Sequence, residues 1–315
     1  MLPIGSIAVS RTGLLACAAS GGPERPGPVG ETRRERPGPV GKIDLPGGAR
    51  TATAGTEGRR VQVAYRNFLA LGDSFTEGVG DTYPDGSVRG WADLVATELA
   101  AREPDFRYAN LAVRGRLLPA IVAEQLPAAE ELRPELVSFA GGGNAVLRPR
   151  YVRPVAAGMF ADAVRRLTAT GATVLLFTGA DISVRMPGGR RLRPRIEALN
   201  ADVARVAADA GAVLVDLWAD RGLDDPRMWS EDRLHLGPAG HLRVAGHVLE
   251  QLGIPADDAW RSPLPTAPPM SWTRGRLADL TWAGRHLAPW VRRRLAGRSS
   301  GDGRAPKRPE LAPLP

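Results

Sequence analysis

The sequence predicts an α/β protein built on a parallel sheet with helices on both of its faces. Short apolar runs bounded by Gly, Pro or charge recur through the middle of the chain, and longer segments with helical apolar spacing separate them. The chain's most unusual loops each follow one of those apolar runs directly. Alternation of this kind closes into a parallel sheet with right-handed crossovers, and strands covered on both faces read as continuous apolar runs.

Taken in order, the first strand is Asn67 to Leu71, within Phe68-Leu-Ala-Leu-Gly-Asp-Ser-Phe-Thr-Glu-Gly78, and it stops at a glycine just before Ser74. Trp91 to Ala101 has helical spacing. The second strand, Tyr108 to Leu111, leads into Asn110-Leu-Ala-Val-Arg-Gly115, and a helix is expected over Leu118 to Glu131. The third, Leu136 to Ala140, leads into Phe139-Ala-Gly-Gly-Gly-Asn144, with a helix over Val155 to Thr170. Thr173 to Thr178 and Val213 to Leu217 complete five strands, separated by a helix over Leu192 to Asp209. After the fifth comes Trp229-Ser-Glu-Asp-Arg-Leu-His235 and a last core helix over Ala239 to Leu252.

The ends differ from this middle. Residues 1–60 are dense in Gly, Pro and Arg and repeat Glu24-Arg-Pro-Gly-Pro-Val-Gly30 as Glu35-Arg-Pro-Gly-Pro-Val-Gly41. Such a segment cannot build a core and is expected to be a disordered extension. A single folded domain is expected over 61–255, and 256–315 reads as a Pro-rich linker and a basic, partly helical tail. Formal charge divides the same way, at +4 for 1–60, −4 for 61–260 and +8 for 261–315. The high isoelectric point therefore belongs to the tails, and the mildly acidic middle argues against nucleic acid as a partner.

A single cysteine, Cys17, excludes an intramolecular disulfide and a cysteine-based zinc site. Its context, Leu14-Leu-Ala-Cys17, has the form of a lipoprotein cleavage box. Against export, the first basic residue is Arg11 and Met1 to Ser10 carries no positive charge. A cytoplasmic location is expected, with the exported lipoprotein as the alternative. No run of 18 apolar residues occurs, so no spanning helix is expected.

Ligands in open parallel sheets bind beyond the carboxyl ends of the strands, and the chemistry-bearing loops fall there. Ser74 places a hydroxyl at the end of a buried strand where a helix begins, which suits a nucleophile. Asp232 and His235, three apart in a Gly/Pro-edged turn, allow one loop to present a base and the carboxylate that orients it. Taken singly each has a plainer role, Ser74 as a helix cap, Asp232 as surface charge and Asn144 as a turn residue.

Ser74, Gly115, Asn144 and His235, in this order and in these blocks, resemble the SGNH (GDSL) hydrolases, a family of bacterial serine esterases and lipases. The resemblance runs from about Tyr65 to Leu252, roughly three fifths of the chain. It implies a single flavodoxin-like domain with strand order 2-1-3-4-5, a Ser74–His235–Asp232 triad, and an oxyanion hole made by the Ser74 and Gly115 backbone N–H groups and the Asn144 amide. No metal or cofactor is implied. The third block departs from the family, which usually reads Gly-x-Asn-Asp where this chain has Gly142-Gly-Asn-Ala145, and the support of Asn144 is what that affects.

Arg89, Arg114, Arg116, Arg148 and Arg150 lie in or beside the loops that frame the site. Of these, Arg89, Arg114 and Arg148 are the candidates for binding an anionic group of the substrate. The alternative is pairing with Glu77, Asp81 and Asp85. His241 and His247 read as surface or packing residues, and His286 has no partner signal.

In the tail, Leu277, Leu280, Leu287, Trp290, Val291 and Leu295 fall at roughly helical spacing among arginines, with Pro289 expected to kink the helix and Pro255 to Pro269 to be extended. Contact with a protein or with the chain's own acidic domain is expected in preference to a membrane surface. The whole is read as a monomeric, metal-independent serine hydrolase of carboxylic esters acting on a small-molecule substrate. A binding or scaffold protein on a hydrolase fold is the alternative, with carbohydrate deacetylase and thioesterase as variants among enzymes. Residues 1–58 carry few large apolar side chains, so a chain lacking them should melt within about 4 °C of the full chain, a change of roughly 1 kcal/mol; a larger drop in a calorimetric scan would place part of the core there.

Overall fold

A computed structural model describes residues 64–183, 185, 189–265 and 271–315. The expected extension over 1–60 and Cys17 lie outside these residues. What is described falls in one compact unit, 59–315.

The elements run β1 (Asn67–Leu71), α1 (Ser74–Glu77), α2 (Trp91–Ala100), β2 (Arg107–Asn110), α3 (Leu118–Glu124), α4 (Leu126–Leu132), β3 (Leu136–Phe139), α5 (Gly143–Val146), α6 (Arg153–Ala169), β4 (Thr173–Phe177), α7 (Arg193–Ala210), β5 (Val213–Val215), α8 (Pro238–Gln251), α9 (Trp272–Trp282), α10 (Ala288–Leu295) and β6 (Arg308–Ala312). The first five strands are parallel in the expected order, and a sixth joins the free edge to give β5-β4-β3-β1-β2-β6. β6 is antiparallel to β2, with Tyr108 opposite Ala312 and Asn110 opposite Arg308. The five-strand expectation is corrected by that one strand, which the tail supplies.

Strand side chains alternate between faces, and the core divides accordingly. Phe68 and Ala70 join Tyr108, Leu175 and Phe177 on one side, under Trp91 and Val95 of α2 and Val244 and Val248 of α8. Leu69 and Leu71 join Val137, Phe139 and Leu176 on the other, under Ile121, Leu126, Phe160 and Val203. Both faces of β1 are thus dry, which is why it reads as an unbroken apolar run.

Two helical expectations change. Leu118 to Glu131 is broken at Gln125 between α3 and α4. Pro127 lacks the N–H to continue α3, and its ring crowds the carbonyl one turn back. The break frees Gln125 to turn inward, where its amide donates to Gly72 O at 2.9 Å and accepts from Gly72 N–H at 2.8 Å. In the tail, a π-helical turn over Ala283–Leu287 carries α9 into α10 ahead of Pro289, the second residue of α10. The expected extended stretch also contains a 3₁₀ turn, Asp258–Arg261, whose Trp260 is buried beside Gly246 of α8. Among the described residues, no helix is long and apolar enough to cross a membrane.

Gln125→Leu removes both Gln125 bonds to Gly72, leaving its buried N–H without that partner and its carbonyl with Val113 N–H alone. It should lower stability by roughly 2–4 kcal/mol, read from the denaturant midpoint at unchanged slope.

Candidate active site

β1 ends at Leu71, and the chain turns at once. Gly72 is required there by close approach, because a Cβ would lie 2.8 Å from Ala140 O. Asp73 follows as the cap of α1, its Oδ1 accepting from Phe75 N–H at 3.2 Å. Ser74, the first residue of that short helix, is only 9 % exposed.

The histidine loop is closed by a bridge between Trp229 and Leu236 and by Ser230 N–H donating to His235 O at 2.8 Å. Asp232 Oδ1 accepts from Ser230 Oγ at 2.6 Å and from the backbone N–H groups of Leu234 and His235 at 3.0 and 2.9 Å. Its other oxygen lies 2.5 Å from His235 Nδ1. Burial alone would raise the Asp232 carboxyl, but the hydrogen bond and charge of His235, with the backbone and Ser230 bonds, outweigh it and hold the group well below the usual range. With Nδ1–H donating to a carboxylate, His235 Nε2 is left as an acceptor 2.9 Å from Ser74 Oγ. The three residues thus form one relay from carboxylate to hydroxyl.

The Ser74 and Gly115 backbone N–H groups donate to no protein acceptor among the described residues. Gly115 has φ of 76°, and a Cβ there would lie 2.3 Å from Ser299 Oγ, so conformation and space both require glycine. Asn144 Nδ2 donates to Asp73 Oδ2 at 2.9 Å and to Arg116 O at 3.1 Å. Asn144 is therefore oriented by Asp73 and the Arg116 carbonyl, with no polar side chain from Ala145. Burial lifts the Asp73 carboxyl to about 6, against the lowering effect of Phe75 N–H, His235 and Asn144.

The arginines expected on the rim have other partners. Arg114 pairs with Glu77 at 2.6 Å, Arg89 with Asp81 at 2.9 Å and Arg116 with Glu124 at 2.9 Å. Arg114 reaches the outer cavity described next, while Arg89 and Arg148 line neither cavity. His241 is buried and held neutral, burial pushing it down to about 4, with Trp91 N–H donating to Nδ1 and Nε2 against Val79 O. His247 bonds Asp220.

Two cavities meet at the serine. An inner one of about 200 Å³ is walled by Phe177, Ile196, Leu199, Val203 and Leu217, with Ser74, Asn144 and His235 at its mouth. An outer one of about 690 Å³ holds Ser74, Gly115, Asn144 and His235 on one side and tail residues on the other, among them Trp282, Arg285, His286 and Trp290.

Three contributors escaped the sequence reading. Gln125 was hidden inside a helical pattern, and only the proline two residues on signals its break. Asn110, in the motif but without an assigned task, donates to Thr76 O at 2.9 Å and accepts from Ala112 N–H at 3.1 Å. Trp282 Nε1 donates to Asp232 O at 2.9 Å, and nothing local in the sequence links that tryptophan to a loop fifty residues earlier.

A family model described as the GDSL-like Lipase/Acylhydrolase family matches residues 70–243, more than half of the chain. No curated protein sequence matches it. Among solved structures, LAE5, an alpha/beta hydrolase enzyme from the metagenome of Lake Arreo, Spain, is 25% identical, with a TM-score of 0.51 over 60% of this chain and 95% of that one. Axe2, an acetylxylan esterase from Geobacillus stearothermophilus, is 21% identical, with a TM-score of 0.52 over 60% and 95%; at that identity the likeness is one of fold.

Asp73 gives the site a pH signature. Its folded value of about 6 exceeds the ordinary 3.8, so folding takes up a proton between them. Its favourable contribution is complete below the lower value and is lost as pH rises through the upper one. Asp73→Asn, always neutral, should gain stability over the natural chain between pH ~4 and ~7, by roughly 3 kcal/mol at most, in denaturant titrations at several pH values. A difference independent of pH would mean that Asp73 is ionised throughout.

Proposed function

The chain belongs to the GDSL-like lipase/acylhydrolase family, and on that premise we propose that it hydrolyses carboxylic esters through Ser74, His235 and Asp232. The relay from Asp232 through His235 to Ser74, at 2.5 and 2.9 Å, is the observation that carries this reading. Ser74 Oγ attacks the ester carbonyl while His235 Nε2 takes its proton; the same nitrogen then delivers the proton to the departing alkoxide. Water, deprotonated by His235, releases the acid from Ser74 in the second half. Asp232 holds the tautomer and stabilises the imidazolium.

The charge that develops on the carbonyl oxygen needs donors fixed beforehand. The N–H groups of Ser74 and Gly115, which have no protein acceptor among the described residues, suit that need. Asn144 joins them by turning one amide hydrogen away from Arg116 O, the longer of its two bonds, while Asp73 keeps the other.

The acyl group lies in the inner cavity, whose walls are apolar. At about 200 Å³ the inner cavity is far smaller than the outer one of about 690 Å³, so short acyl chains fit and long ones project out.

Ser74→Ala and His235→Ala should each lower ester hydrolysis by about three orders of magnitude or more in folded protein. In a p-nitrophenyl ester series, kcat/KM should peak between butyrate and hexanoate and fall toward palmitate. A fluorophosphonate probe should label Ser74; a folded chain inert to both probe and esters would reduce the site to a binding role.

A further inference from the structure

Half of the outer cavity is built by residues beyond the family-matched segment. Trp282, Arg285, His286, Trp290, Arg293 and Arg298 face the site from α9, α10 and the chain that follows. This wall is fixed to the domain at several points. Trp282 bonds Asp232 O at 2.9 Å, Arg233 pairs with Asp279 at 2.6 Å, and Ser299 Oγ donates to Gly115 O at 3.4 Å. Beyond it, Lys307 Nζ donates to Glu77 O and Arg89 O, each at 2.6 Å, and to Asp93 Oδ2 at 2.5 Å, just before β6 enters the sheet.

Arg191, Arg285, Arg293 and Arg298 all line the cavity, and among the described residues none of them makes an ion pair. Arg114, which also lines it, is neutralised by Glu77 at 2.6 Å. Among the described residues the cavity's one carboxylate, Asp232, is committed to His235 at 2.5 Å. Four guanidinium groups around one chamber repel one another and concentrate positive potential over it. Elsewhere in the domain many arginines sit against carboxylates, as Arg89 does with Asp81, Arg153 with Asp202 and Arg166 with Glu130. The chamber beside Ser74 holds guanidinium groups in excess of carboxylates.

We propose that the C-terminal segment forms a subsite for the alcohol portion of the ester, and that this portion carries a phosphate monoester. The inference rests on the hydrolase reading above. An acyl group in the apolar inner cavity leaves the outer chamber to the alcohol. Guanidinium forks match phosphate oxygens two at a time, and a phosphate monoester carries about −1.5 to −2 at pH 7 with three acceptor oxygens, enough to engage several arginines together. In the reaction the acyl carbon bonds to Ser74 Oγ, its bond to the alcohol oxygen breaks, and that oxygen takes the proton from His235. The phosphate monoester leaves intact on the alcohol.

The test compares 3-(butyryloxy)propyl phosphate with the neutral 3-(butyryloxy)propan-1-ol, which share acyl group and leaving oxygen, using the full chain. The phosphate ester should be preferred about tenfold or more in kcat/KM, mainly through KM, at about 0.01 M salt. That preference should shrink severalfold at about 1 M salt, where the screening length drops from about 30 Å to about 3 Å. The triple variant Arg285→Gln, Arg293→Gln, Arg298→Gln should bring the ratio of the two esters to within about twofold of unity; the salt series tests the same point without any substitution. Equal hydrolysis of both esters by the natural chain, or a preference that survives both salt and the triple variant, would overturn the subsite. So would equal hydrolysis together with arginine-dependent sedimentation on phosphatidylglycerol vesicles, which would assign these side chains to a lipid surface. A chain that cleaves neither ester removes the hydrolase reading itself, and the subsite with it.

Discussion

The site depends on how the carboxyl end of β1 is held. Gly72 there is clamped through N–H and carbonyl by Gln125, and its carbonyl also accepts from Val113 N–H at 3.3 Å. One residue position therefore joins the nucleophile turn to the loop that bears Gly115 and to the helix break between α3 and α4. A second bond, from Asn110 to Thr76 O, ties α1 to β2. Because Gly72, Gln125 and Asn110 are buried, these bonds do not compete with water, and losing one leaves a dry polar group. The position of Ser74 relative to Gly115 follows from this fixed corner.

Five strands were legible because the chain buries them on both faces. Continuous apolar runs such as Phe68 to Leu71 have no other use in a chain with few long apolar segments. β6 was not legible, and the reason is physical. Arg308-Pro-Glu-Leu-Ala312 has no strand pattern of its own; it pairs with an open edge, sets Leu311 and Leu314 against opposite faces of the core and lays Arg308 over the Tyr108 ring. An edge strand of this kind is selected by its partner, and sequence alone carries little trace of it. The same holds for Gln125, whose task exists only once Pro127 has interrupted the helix.

The candidate triad could be read from sequence because it sits in loops with unusual composition directly after strands. The arginines could not be sorted in that way. Adjacency to the loops put Arg89 and Arg114 on the rim, yet the nearest carboxylates, Asp81 and Glu77, take them. Three of the four arginines that line the outer cavity without an ion pair among the described residues, Arg285, Arg293 and Arg298, come from a segment poor in acid, residues 261–315, with 11 basic against 3 acidic side chains. Composition thus located the excess charge. Only the path of the chain revealed that it returns to the serine.

That return is fixed by an interaction of modest net strength. Asp93 and Lys307 are both desolvated; burial lifts the carboxyl to about 6 and lowers the ammonium, against the pull of each on the other. A pair with that balance adds little to global stability, because the desolvation of two ions offsets most of their attraction. Its geometry is nonetheless restrictive. Lys307 reaches Asp93, Glu77 O and Arg89 O together, so a one-residue slip of β6 would strand an ammonium among carbonyls or a carboxylate without its cation, at a cost of several kcal/mol. The pair acts as a register mark for the tail. With β6 registered on β2 and Trp282 on the Asp232 carbonyl, the intervening helices are held at both ends, and the arginine-bearing wall stands at a defined place opposite Ser74.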